Sequence, residues 1–304
     1  VLAREVRLDG EPTAVAVSAG FAYVGTSGGA LLEVDLSTGQ VTGRSGVGGM
    51  VTDLNVQGAW LYALQPPMLH VLEISEGLKR LGTVESPGIV GANARRLRLT
   101  GGDGLLYAAF NAGFNVFDLT DPVAPRLLST WPTTQRGWKQ LVPSGSGLGL
   151  GVAGTTSNLD GEHDVDLYSL GSGGTNPVFR TTLATPGVAG AAVIVNGLAY
   201  VADGASGLQV LNYVAADTAG RPPEIRLIPA LPRSPDPVAE VGSLARIAAV
   251  VTDDVQVRSV EFHVDGRLVA VDGTYPFELL WQVRSGSGFR VRRRRPAPGA
   301  VDFR

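Results

Sequence analysis

Cysteine is absent from this chain of 304 residues, so it has no disulfide and no thiolate metal site. Its three histidines, His70, His163 and His263, fall in three different stretches, and none sits in a His-x-His or Glu-x-x-His spacing that would pair ligands on a metal. No apolar run approaches the ~18 residues of a membrane span. No signal peptide opens the chain, and Val1 falls within a repeat, so upstream sequence is expected. No Gly-x-Ser-x-Gly elbow stands before a helical pattern, and no helix is expected anywhere. Charge is sparse as well. Only 17% of residues are Asp, Glu, Lys or Arg, while 44% are hydrophobic, a globular and not a disordered composition.

What the chain has in excess is glycine, 41 residues, placed between short apolar runs as a turn-rich all-β protein requires. The cleanest example is Gly197-Leu-Ala-Tyr-Val-Ala-Asp-Gly-Ala-Ser-Gly-Leu-Gln-Val-Leu, a strand, a glycine turn and a returning strand. The same unit recurs from Phe21, Trp60 and Leu105, and in weaker form from Gly147. Its tyrosines Tyr23, Tyr62 and Tyr107 are 39 and 45 residues apart, and Tyr200 follows 93 residues later, or about 46 per unit with one copy between. Each hairpin has an apolar strand before it, and all but the last have another strand after. Four short strands every 40 to 50 residues mark a β-propeller, because the segments alternate at two residues and not at 3.6.

Five blades are expected. The fifth unit lacks an outer strand, and the orphan stretch 2–8 has the character to supply it and close the ring. The wording of the repeats resembles the LVIVD-type bacterial propeller repeat, in residues 21–37, 114–122 and 198–211. That resemblance covers about residues 1–213. It implies a propeller fold in a bacterial surface or secreted protein and implies no activity.

The expected organisation is a propeller over residues 1–215 and a proline-rich linker over 216–237, held extended by Pro222, Pro223, Pro232, Pro235 and Pro237. A second β pattern occupies 238–283. There Val257, Val260, Phe262 and Val264 alternate with polar residues, and Asp265-Gly266 makes a tight turn. With Pro276, Phe277 and Trp281 this part resembles the bacterial Ig-like modules, of which four or five strands are legible against the seven of a complete sandwich. Residues 284–304 carry seven arginines and one acid, lack the strand pattern, and read as a disordered or aberrant tail; a basic tail for acidic polymers or anionic lipid is the competing reading. The remainder holds 18 basic and 27 acidic residues, a balance of −9 that argues against nucleic acid as a partner.

A propeller offers its site where residues just ahead of each innermost strand ring the central channel. Two rings follow from the repeats: Thr13, Thr52, Arg95, Lys139 and Ala191, then Ala14, Asp53, Arg96, Gln140 and Ala192, with Trp138 beside them. The binding candidates are Asp53, Arg95, Arg96, Trp138 and Lys139. One acid against three bases suits contact with an anion or a peptide carboxylate better than hydrolysis, and ion pairing between blades is the plain alternative. Trp60, Trp131 and Trp138 are core residues or sugar platforms. Asp160, Glu162 and Asp164 offer the hard oxygens that Ca²⁺ prefers, but their spacing is not that of a helix-flanked calcium loop, and an ordinary polar turn competes. No other cofactor is expected.

The sequence thus points to an all-β, non-catalytic, monomeric protein, outside the cell or on its surface, that binds a protein or glycan ligand. The competing reading is a propeller hydrolase, acting on lactones or glycans at the mouth of the channel.

Overall fold

The computed structural model describes residues 5–75, 77–91, 94–102, 104–133, 137–154, 165–171, 176–214, 220–230, 244–253, 255–282 and 289–294. Four consecutive antiparallel sheets have four strands each. The first holds β1 (Pro12–Ser18), β2 (Phe21–Thr26), β3 (Ala30–Asp35) and β4 (Val41–Gly46). The second holds β5 (Asp53–Gln57), β6 (Trp60–Gln65), β7 (Met68–Glu73) and β8 (Lys79–Glu85). The third holds β9 (Leu99–Gly102), β10 (Leu105–Phe110), β11 (Gly113–Asp118) and β12 (Arg126–Pro132). The fourth holds β13 (Trp138–Pro143), β14 (Leu148–Ala153), β15 (Val165–Ser169) and β16 (Val178–Leu183). In each, neighbours in sequence are neighbours in the sheet, which is the four-strand meander expected of a propeller blade. Among the described residues there is no α-helix, only short 3-10 turns such as Ala94–Arg96 and Gly204–Ser206.

The burial of each strand follows its place in the sheet. The second strands are buried almost throughout, as in Trp60–Gln65 and Leu105–Phe110, because they are covered on both faces. The outermost strands alternate between exposed and half-buried, as in β4, and carry charge along the open edge, as in Lys79, Arg80 and Glu85 of β8. Two-residue turns reverse the chain where the sequence offers the residues they demand. Asn196 and Gly197 have φ of 51° and 77°, and Asp265 and Gly266 have 51° and 77°, which is the left-handed pair of a type I′ hairpin.

Among the described residues the fifth sheet has three strands, β17 (Ala191–Val195), β18 (Leu198–Ala202) and β19 (Leu208–Leu211). The expected closure by residues 2–8 is not formed by the part described. Residues 5–8 make no strand, and Val6 and Leu8 lie against Ala22, Val24, Leu32 and Val34 of the first sheet. Their apolar side chains find a face nearby in sequence and bury there, at a lower cost in chain ordering than a distant pairing. Residues 1–4 lie outside the described residues.

Six further strands follow: β20 (Glu224–Ala230), β21 (Leu244–Thr252), β22 (Ser259–Val264), β23 (Arg267–Asp272), β24 (Phe277–Gln282) and β25 (Phe289–Arg294). They form two sheets, ordered β20-β21-β24 and β23-β22-β25, that share one core of Ile247, Ala249, Val251, Val260, Phe262 and Phe277. Two sequence readings change here. Part of the stretch expected as linker is β20, which pairs with β21 from Glu224↔Thr252 to Ala230↔Arg246; its Pro229 is tolerated because β20 is an edge strand. Part of the expected tail is β25, paired with β22 from Ser259↔Arg294 to Val264↔Phe289. Phe289-Arg-Val-Arg carries a short period-two pattern, and arginines on an edge strand discourage further pairing.

The chain divides into two compact units, Val1–Leu141 with Ala153–Glu162, and Val142–Val152 with His163–Arg304. The first has two main cores, one around Tyr62, Leu69, Leu106 and Phe117 and one around Leu31, Leu61 and Leu72. The second has one around Leu150, Val165, Ala199 and Val201 besides the core of the last six strands. A leucine buried as fully as these contributes roughly 1.5–3 kcal/mol.

Candidate functional site

In the first unit the inner strands β1, β5 and β9 run side by side. Their register decides which side chains stand at the inner edge. Tyr62 faces Asn55, and the equivalent Tyr107 faces Thr100, so the partner of Asp53 two residues earlier is Arg98 and not Arg96. By the same register the equivalents in the first and fifth sheets are Ala14 and Ala191. Arg95 and Arg96 belong to the 3-10 turn that precedes β9 and are exposed. The apolar pair Leu97 and Leu99 conceals this offset, because both are buried while only Leu99 is in the strand.

The inner edge is held together by its own polar groups. Thr13 Oγ1 donates to the carbonyl oxygen of Val51 at 2.6 Å, and Arg98 Nη1 donates to that of Thr52 at 3.1 Å. Leu99 N donates to Asp53 Oδ2 at 2.7 Å, and Arg98 N donates to the Lys139 carbonyl oxygen at 2.8 Å. Each bond passes from one sheet to the next, so Thr13 and Asp53, which sequence reading places in the rings at the channel, serve as ties between sheets. Arg98, which it passed over, takes part in two of them.

Burial pushes the Asp53 carboxyl up to about 6, against the pull of the Leu99 N–H and the Arg98 charge. A carboxyl raised in the folded state holds its proton longer than in the unfolded chain. Asp53 therefore favours folding most below pH 4, and that advantage is lost as pH rises through 6. Asp53→Asn keeps an acceptor for Leu99 N and has no charge to bury. It is expected to be more stable than the parent by about 2 kcal/mol at pH 8 and no more stable at pH 4, as measured by urea unfolding at both. His70 works in the opposite direction. Burial, aided by the Arg80 charge, lowers its pKa, so stability falls as pH drops below its ordinary value. Since both variants keep His70, the difference between them isolates Asp53.

The other candidates separate by exposure. Trp138 is fully buried; its Nε1 donates to Thr133 Oγ1 at 2.8 Å and its ring packs on Phe114 with centroids 5.5 Å apart. Lys139 is buried too. Trp60 is core, and Trp131 is half-buried with Nε1 donating to Ser129 Oγ at 3.0 Å. Arg95 remains on the surface, its Nη1 3.0 Å from Glu11 Oε1, and Arg96 is exposed beside it. That ion pair holds the Glu11 carboxyl below its ordinary range. The calcium candidates Asp160, Glu162 and Asp164 lie outside the described residues. Among the described residues, no three His, Asp or Glu side chains gather as a metal site.

A second polar feature escaped sequence reading. His70, Asn115 and Asp166 are buried at matching points of β7, β11 and β15, opposite the small residues Ala63, Ala108 and Gly151 on one side and Thr83, Thr130 and Thr182 on the other. Asp166 Oδ1 accepts from Thr182 Oγ1 at 2.8 Å, and Asn115 Nδ2 donates to Ser86 Oγ at 3.0 Å and to the Pro87 carbonyl oxygen at 2.7 Å. The signal was a polar residue within an otherwise apolar third strand, facing a residue too small to fill the layer.

Comparison with known proteins agrees with this architecture. Residues 9–38 match the model of the LVIVD repeat, and residues 233–288 match that of the bacterial Ig domain. A chain in the crystal structure of the mitotic checkpoint complex is similar in fold, with 14% identity over 90% of this chain and 75% of that one and a TM-score of 0.50. Two computationally designed proteins also align. Ika8 shows 12% identity over 90% of this chain and 71% of its own, TM-score 0.48. Ika4 shows 18% identity over 55% and 99%, TM-score 0.43. No curated protein matches the sequence. The fold is all-β, of propeller type, with an Ig-like domain near the C-terminus.

Proposed function

We propose that this chain, propeller-type sheets with an LVIVD repeat followed by an Ig-like domain, is a non-catalytic binding or adhesion scaffold that works outside the cell or on its surface. One observation carries the reading: the polar groups at the inner edge are spent on ties between sheets. Asp53 serves Leu99, Arg98 serves Thr52, and Thr13 serves Val51. Exposed at the surface are Arg95, which already holds Glu11 but has further donors, and Arg96, together suited to an acidic glycan or a peptide carboxylate.

The purified chain, tested against panels of acidic glycans and of surface proteins, is expected to bind one class saturably, and Arg95→Glu with Arg96→Glu to weaken that binding about tenfold. Antibodies to the chain are expected to label intact cells that make it. Binding unchanged by the double charge reversal would overturn the assignment of these arginines.

A hydrolase is the second reading because Asp53 is a half-buried carboxyl raised to about 6, the property a general acid needs. Turnover of lactones or aryl glycosides, with or without added calcium, that disappears in Asp53→Asn would decide for it.

A further inference from the structure

We propose that two copies of this chain associate through β23, joining the sheets β25-β22-β23 of both copies into one continuous sheet across a two-fold axis. The strand lies at the edge of its sheet, and neither charge nor proline interrupts its middle; the edge strand β19 shares that lack but has four residues against the six of β23. Its sequence Arg267-Leu-Val-Ala-Val-Asp272 puts Leu268 at 51%, Val269 at 36% and Val271 at 55% exposure. By contrast, β20 contains Pro229, β8 begins with Lys79 and Arg80, and β25 carries four arginines.

The choice of a second copy as the occupant rests on charge complementarity. Laid antiparallel on itself about the point between Val269 and Ala270, β23 sets Arg267 opposite Asp272 of the other copy, and Asp272 opposite Arg267. Leu268 then meets Val271 of the other copy, and Val269 meets Ala270. An isologous interface demands this kind of self-complementarity.

The faces agree as well. Leu268 pairs with His263 and Val271 with Glu261, so both stand on one face of the sheet, and there they line a cavity of about 320 Å³ with Asn196, Arg258, Ser259 and Glu261. The irregularity between Phe262 and His263 in the β22–β23 ladder preserves this shared face. The carboxylate of Asp272 accepts from Thr274 N at 2.9 Å and Glu278 N at 2.8 Å, and it has lone pairs left for an arginine. Six residues a side make a small interface, so the dimer forms at roughly 100 µM in solution and more readily where copies are crowded on a surface.

The chain has no cysteine, which makes a disulfide test clean. Leu268→Cys with Val271→Cys is expected to give a covalent dimer under mild oxidation, while Leu268→Cys alone gives little, because the two copies of that position are offset along the strands. In sedimentation equilibrium, Arg267→Asp alone and Asp272→Arg alone are each expected to weaken self-association about tenfold, since each places like charges opposite one another twice. Mixed together, these two variants restore both ion pairs and dimerise as the parent does. A parent that stays monomeric at millimolar concentration overturns the proposal. So does a dimer indifferent to these reversals, or equal cross-linking by the single cysteine. Should Asp272→Arg fail to fold, the cysteine pair and Arg267→Asp still decide the matter.

Discussion

Replacing Trp138 with alanine is expected to lower the unfolding free energy by about 4 kcal/mol, read from urea denaturation, and replacing it with phenylalanine by about half as much. The indole is fully buried, and it packs on Phe114, whose own ring meets Tyr107 edge-on at 6.3 Å. Alanine would leave a void among stiff strands that have little room to close over it. The Thr133 hydroxyl, which accepts from the indole Nε1, would lose that donor. A platform for sugar stacking would behave in the opposite way, since an exposed ring can be removed with little effect on stability and a large effect on binding. A loss below about 1 kcal/mol would therefore return Trp138 to the list of ligand contacts.

The distance between those two outcomes shows what the sequence could and could not say about the site. Strand order was legible because it is local. The runs Trp60-Leu-Tyr62 and Leu105-Leu-Tyr107, each followed by a turn and an apolar return, can pair only with their neighbours, and they do. Exposure at the inner edge depends on register and on what the next sheet contributes, and neither is local. Arg95, Arg96 and Arg98 are three arginines within four residues, and only the ladder from Leu99 to Gly102 shows that Arg98 is the one aligned with Asp53. Trp138 opens β13 as Asp53 opens β5, yet one ring is wholly enclosed by Phe114 and its neighbours while the other side chain is only partly covered.

The C-terminal region taught the same lesson in reverse. Proline content suggested a spacer before the last domain and arginine content suggested a tail after it, but both stretches hold edge strands, where prolines and arginines are at home. Nor is the last domain merely tethered to the fifth sheet. Asn196 N donates to the Gly273 carbonyl oxygen at 2.8 Å, and Gln256 Nε2 donates to Asn212 Oδ1 at 3.1 Å. A Cβ on Gly145 would fall against the rings of Tyr275 and Phe277. These contacts involve glycines and turn residues whose sequence signal is indistinguishable from that of any other turn.

Asp203→Ala is expected to cost about 3 kcal/mol and to loosen the fifth sheet before the rest of its unit. The side chain is completely buried. Oδ1 accepts from Thr185 Oγ1 at 2.6 Å and Oδ2 accepts from Gly187 N at 2.8 Å, so one carboxylate anchors the segment that leads into β17. Alanine strands both donors in the interior, at roughly 1–3 kcal/mol each, partly relieved if water enters. Asparagine offers one acceptor where two are needed and should fall between. The same place at the end of a second strand is Thr26 in the first sheet, where the hydroxyl accepts from Ala30 N at 2.9 Å, so a polar residue there pins a neighbouring loop in two different ways. Among the described residues the fifth sheet has three strands, and its edge strand β19 leaves Leu208 and Val210 more than half exposed, so it is covered less than the four-strand sheets. Hydrogen exchange should show it: in Asp203→Ala the amides of Ala199 and Val201 are expected to exchange by local opening at least a hundredfold faster than in the parent, while those of Leu150 and Val152 change little. Equal acceleration in both sheets would mean that Asp203 supports the whole unit and not the fifth sheet alone.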